Sequence, residues 1–356
     1  MDQLKYWISG VTLISLIACS QTQKRQEEHI KQPTSQREFV SFVYHRFGDD
    51  RFPSTNVSLT DFEAHLKYLK DQGFSILTFG DAIDYLSGEG QERKIAVITI
   101  DDGYKTFIKN GWPLMKKYHA PATVFINSET VGGSSYMDWA DIKQLISEGI
   151  EIGNHTHSHD YFLNMDNNRY KAFKSNVMAC QEEIKQKAGY TPQVFAYPYG
   201  EYDDKMKDII RELGFKAAAA QNSGVIHSGT DIFASPRFPM ANGYTGIDKF
   251  KMKANMHPLI VSGMDPKEFI IRPGQQPTLK LSLNAGNLIP SSFQCFIQGS
   301  DCDLKINKIE GGQLKVQLVP ENPLSRRRTL YTLTAKDTLN EWHWFSQLWI
   351  SPEQKE

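Results

Sequence analysis

Between Phe39 and Met256, short apolar runs alternate with amphipathic stretches. The runs FVSFVYH, SILTF, KIAVITI, ATVFI, IEIGN and QVFAYPYG are rich in β-branched and aromatic residues and end in, or are followed by, polar or glycine positions, which predicts buried strands. LTDFEAHLKYLKDQG, WADIKQLISEG, DDKMKDIIRELG and the longer stretch Tyr170–Ala188 repeat their apolar positions at helical spacing, and Gly73, Gly149 and Gly214 stop the first three. FKAAAA and the stretch near ASPRFPM are the last expected strands. Strand–helix alternation over about 220 residues predicts a parallel sheet with helical crossovers. Seven or eight such strands close most simply into a (β/α) barrel, here residues 39–260, with an open doubly wound sheet as the alternative.

From about Lys267 the pattern changes. PTLKLSLNAG, FQCFIQG, CDLKINKIEGGQLKVQLV, RRTLYTLTAKD and HWFSQLWI alternate apolar and polar positions between Gly, Asn and Pro. This predicts a small antiparallel β-sandwich over residues 266–352. Trp342, Trp344 and Trp349 are expected in its core more than on a sugar-stacking face, and Arg326–Arg328 is expected to be a solvated turn.

The chain has 356 residues, enough for one large and one small domain, and a formal net charge of −1. No basic stripe interrupts that balance, which argues against nucleic acid as a partner. No G-x-G-x-x-G or G-x-x-x-x-G-K opens a helix, so nucleotide binding has no support. The N-terminus departs from the rest. Trp7–Ala18 is an apolar run of about 12 residues, too short for a ~30 Å hydrocarbon core but suited to a secretory signal at residues 1–19. Its ending, LIAC, resembles a bacterial lipoprotein box. That resemblance implies a lipid anchor on Cys19 and, with Ser20 following, the periplasmic face of a Gram-negative outer membrane; a plain cleaved signal is the alternative. Residues 20–38 are polar and aperiodic and read as a tether. Of the other three cysteines, Cys295 and Cys302 lie in the strand-rich part, where export permits a disulfide, and Cys180 falls in a helical pattern as a core residue.

The chemistry gathers at two places. AVITIDDGYKTF ends a buried strand on Asp101 and Asp102, adjacent carboxylates that repel each other and are costly to desolvate. A divalent cation would relieve one by coordination and keep the other ionised as a base. EIGNHTHSHDYF places His155 and His159 four residues apart, on one face of a helical turn and close enough to share an ion, with His157 pointing elsewhere. One carboxylate and two imidazoles leave a coordination position open for water.

TIDDGY (Thr99–Tyr104) and HTHSH (His155–His159) resemble the first two motifs of the polysaccharide deacetylase family, the NodB-homology carbohydrate esterases, and FAYPYG (Phe195–Gly200) resembles the third. The resemblance implies a distorted (β/α) barrel that removes acetyl groups from polysaccharides with a bound metal. It assigns Asp101 as base and Asp102, His155 and His159 as metal ligands, with Zn2+ the first choice and Co2+ or Ni2+ compatible. The backbone N–H of Tyr199 would face the oxyanion. Trp139 would wall the acetyl methyl or pack its own helix, and Tyr104 would border the sugar groove or pack against its neighbours.

Two departures stand out. Ala196 occupies the third motif's usual arginine position, and Arg237, on a later strand, is the candidate replacement. The general acid is sought in His45 or His257; the YH opening resembles a permuted branch that includes poly-β-1,6-N-acetyl-D-glucosamine N-deacetylases, which favours His45. The expected activity is N-deacetylation of an N-acetylglucosamine polymer. An O-acetyl esterase, a peptidoglycan deacetylase and a non-catalytic carbohydrate-binding lipoprotein are the alternatives.

Overall fold

The strand Glu38–Tyr44 (β1) is buried along nearly its whole length, so both of its faces meet protein. The structure, a computed structural model, describes residues 37–355 except 89–93, 166 and 242. The expected signal segment 1–19 with Cys19, and nearly all of the expected tether 20–38, lie outside the described residues. Eight further strands share a sheet with β1: Ser75–Leu77 (β2), Ile95–Ile100 (β3), Thr123–Ile126 (β4), Glu151–Asn154 (β5), Val194–Ala196 (β6), Ala217–Ala219 (β7), Val225–His227 (β8) and Phe238–Pro239 (β9). The order is β8–β1–β3–β4–β5–β6–β7, with β2 also on β3 and β9 also on β1. All pairings are parallel except β8 with β1.

Closure comes from the segment Ser235–Pro239. Ser235 bridges Ala219 on β7, and Phe238–Pro239 pairs with Phe42–Val43 on β1. The curled sheet thus becomes a distorted (β/α) barrel. The two-residue period of the strands sorts their side chains. Ala96, Ile98 and Ile100 of β3 pack outward against the helices, while Ile95 and Val97 join the inner cluster with Phe39, Phe125, Ala196 and Ala219. The same period carries Thr99 and then Asp101 to the inner face. The inner layer is tight: a Cβ on Gly153 would sit 2.2 Å from the Phe125 ring, its neighbour in register.

Eight short strands follow: His257–Pro258 (β10), Val261–Asp265 (β11), Leu279–Asn284 (β12), Gln294–Ile297 (β13), Cys302–Ile309 (β14), Gln313–Pro320 (β15), Arg328–Lys336 (β16) and Trp342–Ile350 (β17). They form two four-stranded sheets, β10–β17–β16–β13 and β11–β12–β15–β14. The sandwich therefore takes in strands ahead of residue 266, its expected start. Leu279, Leu281 and Leu283 of β12 meet Leu314, Val316 and Leu318 of β15 in its core. Trp349 is buried there, and Cys295 and Cys302 are disulfide-bonded between the sheets. Cys180 is a buried free thiol.

The arginine triplet does not form a solvated turn. Arg327 is 5 % exposed and donates from Nε and Nη2 to the two carboxylate oxygens of Glu201 at 2.7 and 2.6 Å, and from Nη2 to Asn164 Oδ1 at 2.6 Å. Arg328 Nη1 reaches the same carboxylate at 3.0 Å. Sequence periodicity could not show this, because the carboxylate lies more than a hundred residues upstream. The pair pins the sandwich to the barrel loop that follows β6. Removing one member of a buried ion pair strands the other. An Arg327→Met variant should lose about 3 kcal/mol in urea unfolding, and Glu201→Gln added to it should restore much of that loss.

Candidate active site

The C-terminal ends of the barrel strands carry the chemistry. Asp101 follows β3 and is fully buried. Arg237, equally buried, grips it in bidentate fashion: Nη1 donates to Oδ1 at 2.7 Å and Nη2 to Oδ2 at 2.8 Å. Arg237 is itself fixed by donation from Nε to the Ala220 carbonyl and from Nη1 to Thr99 Oγ1. Its place in the barrel-closing segment explains why its side chain enters the interior from the far end of the sequence. Burial alone would push the Asp101 carboxyl up. The positive charge of Arg237, aided by His155 and His45, more than offsets this and holds it below the ordinary carboxylate range.

Asp102 turns away from its neighbour through a left-handed backbone, φ 70°, and Gly103 continues the turn at φ 71°. A Cβ on Gly103 would lie 2.8 Å from Ile126 Cδ1, so the turn needs glycine on both counts. Two adjacent carboxylates thus face different partners. Asp102 Oδ1 lies 3.5 Å from His155 Nε2 and 3.4 Å from His159 Nε2, and those nitrogens are 3.2 Å apart. Among the described residues this is the one group of three whose ligand atoms all lie within 4.8 Å of one another. Burial opposes ionisation of Asp102 too, but the imidazoles around it, His155 foremost, keep its carboxyl far below the usual range. Burial and the neighbouring His155 push His159 down to about 4.

His155 and His159 do not sit on a helical turn. They flank a loop in which Thr156 and His159 have φ of 67° and 55°. Non-glycine residues in this region are uncommon and strained, and here they aim two imidazoles at one point. The donor set fits a divalent cation. His155 Nδ1 lies 2.7 Å from the Ala196 carbonyl, which can only accept, so Nδ1 carries the proton and Nε2 offers its lone pair inward. Ala196 thus orients a candidate ligand through its backbone. His157 turns to Ser128 Oγ and Glu183, away from the cluster, as its intermediate position predicts.

A cavity of about 530 Å³ opens over this cluster. His45, Asp102, His155, His159 and Tyr199 line it, with Tyr104, Tyr136 and Arg328 at its walls. Tyr199, φ 57°, lies between His159 and Tyr161: its ring meets His159 edge-on at 4.4 Å and stacks on Tyr161 at 3.8 Å. Arg327 covers Tyr161 at 4.2 Å. The sandwich therefore buttresses a candidate metal ligand through two stacked rings. Tyr104 does border the cavity, with Tyr136 stacked on it and the Arg46 guanidinium 3.5 Å from its ring centroid. Trp139 does not line the cavity; it packs against the barrel's outer core.

His45 follows β1 and faces the cavity, whereas His257 lies near the opposite end of the same strand, bonded to Glu38 at 2.6 Å. A larger cavity of about 650 Å³ opens beside His257, away from the Asp102–His155–His159 group. Arg328 was missed in the sequence; the one signal for it was a run of three arginines at the head of a strand.

Buried Asp101 and the Asp102–His155–His159 group at the strand ends of such a barrel are the arrangement that the motif resemblance to polysaccharide deacetylases implies. Residues 88–218 match the family model described as polysaccharide deacetylase. The poly-beta-1,6-N-acetyl-D-glucosamine N-deacetylase of Staphylococcus aureus (strain MSSA476) is 25 % identical over 210 residues, covering 55 % of this chain and 72 % of that protein. The structure of IcaB from Ammonifex degensii superposes with a TM-score of 0.55 at 25 % identity, covering 61 % of this chain and 97 % of that one. The Streptococcus pyogenes deacetylase PplD in complex with acetate, 18 % identical with a TM-score of 0.57 over 62 % of this chain and 99 % of that one, shares the fold. His45 and Arg237 lie outside the matched segment, one on each side of it.

Proposed function

We propose that this chain hydrolyses the acetamide groups of an N-acetylglucosamine polymer, with Asp102, His155 and His159 holding a divalent cation, zinc by preference. The observation that carries the reading is the pairing of two differently wired carboxylates: Asp101 clamped by Arg237 as a free base, and Asp102 turned to two imidazoles. A cation bound there would supply Lewis acidity toward the acetyl carbonyl and make water a stronger nucleophile near neutral pH. Asp101 is the group that takes the proton from the attacking water. The Tyr199 N–H faces the oxygen on which negative charge develops. His45 gives a proton to the nitrogen as the C–N bond breaks, releasing acetate and a free amine. Imidazole suits that step because an amine leaves poorly without a proton. The relatives' polymer substrates support this choice of substrate. Anchoring at Cys19 on the periplasmic side of an outer membrane belongs to the same proposal.

The test is acetate release from β-1,6-linked N-acetylglucosamine oligomers, with acetylated xylan and peptidoglycan fragments in parallel. Release from the oligomers that stops with chelator and returns with zinc is expected; release from xylan alone would replace the amidase by an ester hydrolase. In the same assay His45→Ala should cost about 10²–10³-fold in kcat, and His257→Ala less than about threefold. The reverse ranking would move the acid to the far end of the barrel.

A further inference from the structure

A second cavity of about 490 Å³ adjoins the first at the junction of barrel and sandwich. The two share Gln221, Pro239 and Arg328 as wall residues, so the groove runs on from the candidate catalytic centre across Arg328. Its lining differs in kind from that of the centre. It offers aromatic surface and cationic groups, and among the described residues no aspartate or glutamate lines it.

Three aromatic side chains supply the surface. Phe296, on the edge strand β13, is 57 % exposed and Tyr244 is 49 % exposed, large apolar faces turned to solvent inside a groove. The disulfide at Cys295 ties the strand beside Phe296 to the other sheet. Trp344 is held by donation from Nε1 to Ser223 Oγ at 3.0 Å and by edge-on contact with Phe238. Aromatic faces of this kind stack on the C–H faces of sugar rings. Two cationic side chains complete the lining: Arg328, which shares Glu201 with Arg327, and Lys253, which is 6 % exposed. The Lys253 ammonium donates to the Pro239 carbonyl at 3.3 Å and lies 5.1 Å from the centre of the Tyr244 ring. Burial lowers its pKa to about 8, which leaves it mainly protonated at pH 7.

We infer that this junction groove binds the sugar units flanking the one at the catalytic centre, and that its cationic lining accepts N-acetylated units and repels deacetylated ones. The inference rests on the amidase reading above. Each turnover turns a neutral acetamide into an ammonium ion. A unit so converted meets Lys253 and Arg328 with like charge in a partly desolvated groove, where repulsion is stronger and less screened by salt than in open water. The product would then carry its free amines spaced along the chain, not in blocks. The sandwich would act as a sensor of the neighbouring unit.

Binding tests this apart from turnover. The Asp101→Asn variant is titrated calorimetrically with three probes: the β-1,6-linked N-acetylglucosamine dimer, the fully acetylated pentamer, and a pentamer acetylated only at its central unit. The acetylated pentamer is expected to bind about tenfold tighter than the dimer. Adding Phe296→Ala, an exposed change that spares the core, should erase most of that gain. The centrally acetylated pentamer should bind about tenfold more weakly than the fully acetylated one at low salt, and Lys253→Met should narrow the difference. Equal affinity for dimer and pentamer, or indifference to Phe296→Ala, overturns the subsite. Equal affinity for the two pentamers overturns its charge selectivity. Phe296-dependent binding with no acetate release by the unsubstituted chain leaves the subsite standing and overturns the amidase reading.

Discussion

Replacing Arg237 by leucine should cost about 3–5 kcal/mol of stability at pH 7 and at least about 10²-fold in acetate release. Asp101 and Arg237 are both fully buried, so the variant keeps a carboxylate in the interior with its main counter-charge gone. In the unsubstituted protein burial raises the Asp101 pKa, and Arg237 then His155 bring it below the ordinary value. Without the guanidinium, burial prevails and the carboxyl takes up a proton at higher pH. The sign of the stability change follows from proton counting. In the unsubstituted protein the depressed pKa stabilises the fold above the unfolded value, near 3.9, and that contribution fades as pH falls through the folded pKa. In the variant the folded state binds the extra proton, so its stability falls as pH rises. The deficit should therefore be largest near neutrality and narrow toward acid. Chemical denaturation at several pH values measures it, and the acidic limb of the pH–rate profile should move up. Asp101→Asn added to Arg237→Leu should recover stability and no activity. A deficit independent of pH would mean that Arg237 acts by packing alone.

Asp101→Asn by itself should lower acetate release by about 10³–10⁴-fold while zinc still binds. Asparagine keeps the shape but cannot accept the proton from water at neutral pH. The candidate ligands Asp102, His155 and His159 are untouched, because Asp102 is turned into a separate environment by its left-handed backbone. Zinc titration of the variant and the unsubstituted chain should give affinities within a few-fold of each other. Lost zinc affinity would make Asp101 a ligand; normal turnover would remove it as the base.

Much of the barrel was legible in the residues themselves. A buried strand has a short, saturated apolar run, and an amphipathic helix has its own period, so strand–helix alternation appears without any contact being known. The change to two-residue alternation near residue 267 likewise announced the sandwich, though its first strands were too short to register. Asp101 and Asp102 could be placed at a strand end because the apolar run stops there, and the paired charges demanded a partner. The helical turn expected at His155 was wrong. A four-residue spacing brings side chains together on a helix, but a loop with two left-handed residues does the same, and periodicity over five residues cannot tell them apart.

Local order of residues thus decided the strands, the helices, the second domain and the placing of the aspartate pair and the histidine pair each at a strand end, because each depends on neighbours within a turn or a strand. Only folding decided the partners that come from far along the chain. Arg237 reaches Asp101 because a short closing segment lies between the first and seventh barrel strands. Arg327 and Arg328 reach Glu201 and the cavity wall because the sandwich docks there. His45 and His257 were separated by their positions at opposite ends of one strand. Such pairings follow from how the sheet closes and how two domains meet, and neither is written in the spacing of residues along the backbone.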